Sequence, residues 1–236
     1  MASRELLDFD SGGVHDLDPA VITPALRAAI LRCIEVQKES ARAAIAAFRP
    51  HAESAREVSA ERLDEILARG DTVHGIASDR SISNVIPFLA SHIAGAVDDP
   101  VVAALRRDVD REMSPLVRSC FRDRRNLTVV GSGHFWYPPG SYMGWHTNSR
   151  APGWRVYVSH AETAGRSFLR YRDPDTGAIV TLHDDAWNVR LFRITRDAPL
   201  WHAVHADTHR FSMGYRVIRE TPSTRVLRRV RRLLRR

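Results

Sequence analysis

From about Asn126 to residue 219 the chain consists of short β-rich runs separated by turn clusters, and this texture restricts the fold more than any other feature. NLTVVGSGHFWY, GWRVYVSH, SFLRYR, AIVTL, WNVRLFRI and HRFSMGYRVI are rich in the β-branched and aromatic residues that suit strands. Between them lie PPGS and DPDTG, where Pro, Asp and Gly supply turn geometry, and DPDTG predicts a hairpin. Apolar residues recur instead at helical spacing before this region. Leu26, Ile30, Ile34, Ala41, Ile45 and Phe48 predict one long helix over 22–48, with Thr23 as N-cap before Pro24. A shorter helix is expected over 59–69, opened by Ser59 and Glu61 and closed by Gly70. One or two more are expected within 82–121, kinked or divided at Pro115. Helices followed by six to eight strands indicate an α+β chain whose core is a small barrel or double-sheet jelly roll. The expected division is a helical part at 1–125 integrated with the barrel, the barrel itself at 126–220, and a tail at 221–236.

The net charge of +7 is concentrated in one place. Residues 223–236, STRVLRRVRRLLRR, hold seven arginines and no acid, so the preceding 222 residues are formally neutral. In that tail Val226, Leu227, Val230, Leu233 and Leu234 form one apolar stripe if the segment is helical. Such a helix fits either an anionic partner (lipid, nucleic acid or acidic protein) or docking on its own body. The barrel and helices are therefore not a polyanion-binding surface on average. The first residues, MASRELLDFDSGG, lack a basic stretch followed by an apolar one, and no run approaches the ~20 apolar residues of a membrane span, which predicts a cytoplasmic protein. Cys33 and Cys120 follow no metal-ligand or CxxC spacing and read as buried, reduced thiols.

The last strand has an unusual second face. Alternation over 209–218 puts His209, Phe211, Met213, Tyr215 and Val217 on one side and Arg210, Ser212, Gly214, Arg216 and Ile218 on the other. The aromatic and aliphatic side suits packing on helices, which turns Arg210 into the barrel, where a guanidinium needs an anionic partner. Upstream stand His146-Thr147-Asn148, whose first and third residues share a side in extended chain, and, about fifty residues later, His202 and His205.

This order of pieces, a His-x-Asn after HFWYPPGSYMGW, a distal histidine in His-Ala-Val, then Arg-x-Ser, resembles the 2-oxoglutarate/Fe(II)-dependent oxygenase superfamily over roughly residues 127–219. The resemblance implies a double-stranded β-helix of cupin-like jelly-roll form with the N-terminal helices packed on it. It further implies Fe(II) held by His146, Asn148 and His202, with 2-oxoglutarate and O2 as co-substrates. Arg210 and Ser212 would take the distal carboxylate of 2-oxoglutarate, with Tyr137 and Tyr157 as further members of that pocket. Two imidazoles and an oxygen donor on one face of the metal leave the open positions such oxygenases use. The implied reaction is hydroxylation of an unidentified small-molecule or peptide substrate coupled to decarboxylation of 2-oxoglutarate.

Asn148 departs from the family's aspartate, and three explanations stay open: its amide oxygen ligates, water or a halide fills the position, or the site is degenerate. A degenerate site would make the chain a non-catalytic binding module carrying a basic tail; a halide at the metal would make it a halogenase. His202 matches the family pattern better than His205. Asp184 and Asp185 are a remote source of the missing carboxylate, while His134, His160, His183 and His209 read as packing or surface residues.

Overall fold

A computed structural model describes residues 6–70, 83–89, 100–149, 151–195, 197 and 199–220. The segment predicted to hold the basic tail lies outside the described residues.

Two antiparallel sheets face each other. The larger holds β1 (Val14–Leu17), β8 (Trp187–Ile194), β5 (Gly153–Ala161), β10 (Arg210–Arg219), β3 (Leu127–Tyr137) and β2 (Ile86–Pro87), in that order. The smaller runs β4 (Ser141–His146), β9 (His202–Ala206), β6 (Ser167–Arg172), β7 (Ile179–His183). From β3 to β10 the chain passes back and forth between the sheets. The result is the double-stranded β-helix that the family resemblance implies, with eight core strands, a form of the double-sheet jelly roll expected from the β-rich runs. DPDTG turns β6 into β7, with Asp173 Oδ1 accepting from the Asp175 and Thr176 amides at 3.0 and 2.8 Å.

Helices cover the outer face of the larger sheet. In α1 (Pro24–Ser40) the buried residues Leu26, Ile30, Cys33 and Ile34 form one stripe, and Thr23 Oγ1 caps the helix by accepting from the Leu26 amide at 3.1 Å. In α4 (Pro100–Ser119) Leu105, Val109, Met113, Leu116 and Val117 do the same. Both stripes meet Trp136, Trp154, Val156, Val158, Phe211, Met213, Tyr215 and Val217 in the main core, so the apolar side of β10 packs as its alternation predicts. The Tyr215 hydroxyl donates to Asp110 at 2.6 Å and fastens β10 to α4. Beneath the smaller sheet, α3 (Ala60–Ala68) and the turn before it bury Val58, Leu63 and Ile66 against Tyr142, Trp145 and Trp201. Cys33 and Cys120 are buried and not in a disulfide, and burial pushes the Cys33 thiol up to about 12, which leaves it unreactive.

Three local expectations are corrected. The helix foreseen over 22–48 breaks at Ala41, so a separate α2 (Arg42–Ala47) follows α1. Pro115 does not divide α4: the apolar stripe continues on both sides of it, and burying Val109, Met113, Leu116 and Val117 at ~1.5–3 kcal/mol each outweighs the ~3 kcal/mol a helical proline costs. Residues 86–87 within the presumed helical 82–121 form β2, paired with Trp136 and Phe135 of β3. Among the described residues no helix is long and apolar enough to cross a membrane.

Candidate metal and co-substrate site

The space between the sheets is lined by Phe135 and Tyr137 of β3, Met143 and His146 of β4, Tyr157 and Ser159 of β5, Leu169 of β6, Arg190 of β8, His202 and Val204 of β9, and Arg210 and Ser212 of β10. Six of the seven residues singled out from the sequence, Tyr137, His146, Tyr157, His202, Arg210 and Ser212, therefore line one cavity, and Asn148 reaches its edge.

His146 and His202 are cross-strand partners of β4 and β9, with ring centroids 4.1 Å apart. Both are buried, at 7% and 2% exposure. His146 Nδ1 lies 2.8 Å from the Gly144 carbonyl and His202 Nδ1 2.9 Å from that of Leu200. A carbonyl only accepts, so each Nδ1 carries the proton and each Nε2 the lone pair, the tautomer a metal ligand needs. Burial, reinforced by the neighbouring His146, lowers the proton affinity of His202 well below the ordinary imidazole range and keeps it neutral.

Strand alternation separates the two distal histidines. His202, Val204 and Ala206 share one side of β9, while His205 points to the other, where Ser54 Oγ lies 3.1 Å from its Nε2 and Phe168 stacks on its ring at 5.3 Å. His205 is a packing residue between the smaller sheet and the segment before α3. His209, on the helix side, accepts from Trp136 Nε1 at 3.1 Å through its Nδ1.

Asn148 arrives by a different route from the one alternation suggests. β4 ends at His146, and Asn148 has φ +53°, a left-handed turn that asparagine tolerates better than most residues. Its amide nitrogen lies 3.3 Å from His202 Nε2. Among the described residues no three His, Cys, Asp or Glu side chains form a metal-ligating group, so the donors gathered here are two imidazoles and one amide.

Arg210 is buried at 3% exposure and already has a carboxylate. Its Nε donates to Asp184 Oδ2 at 2.7 Å, and Arg190 Nη1 donates to Asp184 Oδ1. Ser167 Oγ donates to Asp184 at 2.6 Å, and Arg210 Nη2 donates to Ser159 Oγ at 3.3 Å. The unpaired arginine expected from the strand pattern is thus balanced internally, and Asp184, far from supplying a metal ligand, is spent on two guanidinium groups. Burial alone would raise the Asp184 carboxyl, but Arg210 and Arg190 more than reverse this and hold it below the usual carboxylate range. Arg190 also faces Asp16 at 3.4 Å, whereas among the described residues Arg210 has Asp184 alone, and its Nη1 is buried with no hydrogen-bond partner. The guanidinium lies 5.2 Å from the Tyr137 ring centre. Burial raises the Tyr137 and Tyr157 hydroxyls above the ordinary phenol range, so both remain protonated donors.

Arg190 escaped the sequence reading, and Asp184 entered it only as a remote metal ligand, not as the partner of two arginines. The signal for Arg190 was present: it alternates with Asn188 and Phe192 in WNVRLFRI, the same inward parity as the cavity residues. Asp184 sits in a turn, where no periodicity fixes direction.

No family model matches the chain, and no curated protein matches it. Solved structures of similar fold include a prolyl-4-hydroxylase from Pseudomonas putida, 16% identical over 91% of this chain and 96% of that one, with a TM-score of 0.43. Another is a dioxygenase for auxin oxidation from Arabidopsis thaliana in complex with 2-oxoglutarate, 12% identical over 90% and 85% of the two chains, TM-score 0.43. A third is an oxidoreductase of the 2OG-Fe(II) oxygenase family from Burkholderia pseudomallei, 14% identical over 68% and 78%, TM-score 0.42.

Proposed function

We propose that this protein is a non-haem Fe(II), 2-oxoglutarate-dependent oxygenase that hydroxylates a substrate C–H bond. The observation that carries the reading is the pairing, in one buried cavity, of two histidines held in the ligating tautomer with an arginine that keeps one N–H unsatisfied. The donor set fits a divalent first-row metal, since neutral imidazoles suit iron and an amide oxygen is a weaker third donor. His146 and His202 would hold the ion, with Asn148 beside them. Bound Fe(II) would supply oxidative decarboxylation of 2-oxoglutarate with O2, giving succinate, CO2 and the oxidant for the substrate.

The chain's own residues then have distinct tasks. Arg210 Nη1 is the donor for the distal carboxylate of 2-oxoglutarate, and the bond from Arg210 Nε to Asp184 fixes the guanidinium plane before the co-substrate arrives. Ser212 offers a hydroxyl on the same face of β10. Tyr137, Tyr157 and Phe192 exclude water, Phe192 packing on His202 at 4.9 Å and Tyr157 on Phe192 at 5.6 Å.

Anaerobic titration with Fe(II) and 2-oxoglutarate tests the reading. A metal-to-ligand absorption band is expected, with succinate released on admitting O2. No band and no succinate at any iron loading would favour a second reading, a non-catalytic barrel that binds an anion. That alternative is supported by the amide at position 148, where a carboxylate would neutralise metal charge, and by Asp184 already occupying Arg210.

A further inference from the structure

The inward face of the larger sheet carries a second pair of arginines, distinct from Arg190 and Arg210. Arg155 and Arg216 are direct cross-strand partners on β5 and β10. Their neighbours in sequence, Trp154, Val156 and Val217, pack in the outer core, which fixes the two arginines on the inner side. Among the described residues neither forms an ion pair with a carboxylate, in contrast to Arg190 and Arg210 on Asp184.

Arg155 is 2% exposed, and its Nη2 donates to the Ala151 carbonyl at 2.5 Å while its Nη1 is buried without a partner. The Nε of Arg216 is likewise buried and unsatisfied. Burial holds the Arg155 guanidinium below its ordinary value, and the charge of Arg216 beside it adds to that. Two adjacent guanidinium groups, each with an unmet buried N–H and no shared acid, are unfavourable unless an anion joins them.

Register also locates the pair. On its other side Arg155 faces Phe192, whose ring packs on His202, and Ala151 is tied to Asn148 by an amide-to-carbonyl bond of 3.0 Å. The pair therefore stands at the histidine end of the cavity. Arg216 lies six residues along β10 from Arg210, roughly 20 Å of strand at about 3.3 Å per residue. One arginine group thus serves the far end, beyond the histidines, and the other stands beside the histidines.

We infer that Arg155 and Arg216 form a second anion site that takes a carboxylate or phosphate group of the primary substrate. This deepens the oxygenase reading and rests on it only for the word substrate; the anion site itself stands on the two arginines. An anionic substrate group there would also offset the charge of a metal whose protein donors include no carboxylate.

The test is calorimetric titration of inorganic phosphate, and separately of acetate, into the metal-free full-length protein at low chloride, using wild type, Arg155→Met, Arg216→Met and, as a control away from the cavity, the exposed Arg125→Met. Binding of at least one anion should weaken about tenfold or more in Arg155→Met and in Arg216→Met, and much less in Arg125→Met. The arginine-rich tail contributes equally to all four proteins. Tighter acetate would identify the substrate group as a carboxylate, and tighter phosphate as a phosphate. Binding that is indifferent to Arg155 and Arg216, or that falls equally in Arg125→Met, would overturn the inference. Should Arg155→Met fail to fold, the half-buried Arg216→Met and the charge-conserving Arg155→Lys decide the matter. Because no metal is present, absence of 2-oxoglutarate turnover would sink the oxygenase reading without touching this result.

Discussion

At the scale of single residues, Asp184 carries more of the site than its turn position suggests. Its carboxylate, with a fully buried side chain, is shared by Arg190 and Arg210, so removing the charge leaves the buried Arg210 without a carboxylate and Arg190 with the half-exposed Asp16 alone. Asp184→Asn should destabilise the protein by ~3–5 kcal/mol at neutral pH, read from urea melts. The pH dependence follows from the direction of the shift. The folded-state carboxyl titrates below its ordinary 3.8, so its contribution is complete above about pH 4 and is lost as pH falls through the depressed folded value. Wild type should lose stability steeply below pH 4, and Asp184→Asn should show a flatter profile there; parallel profiles would mean the ion pairs add nothing. Asn148 is constrained twice, by the His202 ring beside it and by its φ of +53°. Asn148→Asp keeps a residue that tolerates this backbone and adds the missing charge, so Fe(II) affinity measured by equilibrium dialysis should rise. Asn148→Ala adds about 1–2 kcal/mol of left-handed strain and should weaken metal binding without removing it. An affinity unchanged in both variants would place Asn148 outside the ligand set.

At the scale of elements, the period-two rule carried most of the inference, and where it failed it did so for identifiable reasons. In β10 it assigned both faces: Arg210 and Ser212 line the cavity while Phe211, Met213 and Tyr215 meet the helices. In β9 the same rule turns His202 inward and His205 outward. His202→Ala should therefore abolish the Fe(II) and 2-oxoglutarate absorption band. His205→Ala should retain it and cost only about 1 kcal/mol through the lost Ser54 hydrogen bond; a reversed pattern would exchange the ligand assignment. Strands β1 and β2 were not legible, because four- and two-residue runs acquire their identity by pairing with β8 and β3. Helix α4 was legible as a helix within 82–121, but its passage through Pro115 depended on the sheet beneath it. The Asp184 pairing was hidden for the same reason: turn residues lack a period, and their partners lie on strands far along the chain.

At the scale of the whole molecule, the charge separates into a barrel that concentrates arginines inside and a sequence tail that concentrates them at one end. The seven arginines of 223–236 equal the full net charge of +7, so the rest is formally neutral and its long-range field is weak. The barrel closes before that segment begins. Arg219 is the last residue of β10, and Glu220 is tied back by its amide to the Asn126 carbonyl at 2.8 Å and by its carboxylate to Thr128 Oγ1 at 2.6 Å. Folding and surface attraction should therefore separate on truncation. A protein ending at residue 222 should melt within about 2 °C of the full chain, since a loss of 1 kcal/mol would already shift a chain of this size by about 2–4 °C. It should keep 2-oxoglutarate turnover and lose retention on an anionic surface such as vesicles containing phosphatidylserine, a binding that in the full chain should weaken about tenfold or more between 50 and 200 mM salt. A drop of many degrees in the melting temperature would instead mean that Val226, Leu227, Val230, Leu233 and Leu234 dock on the protein's own body and that the arginines only solvate that helix.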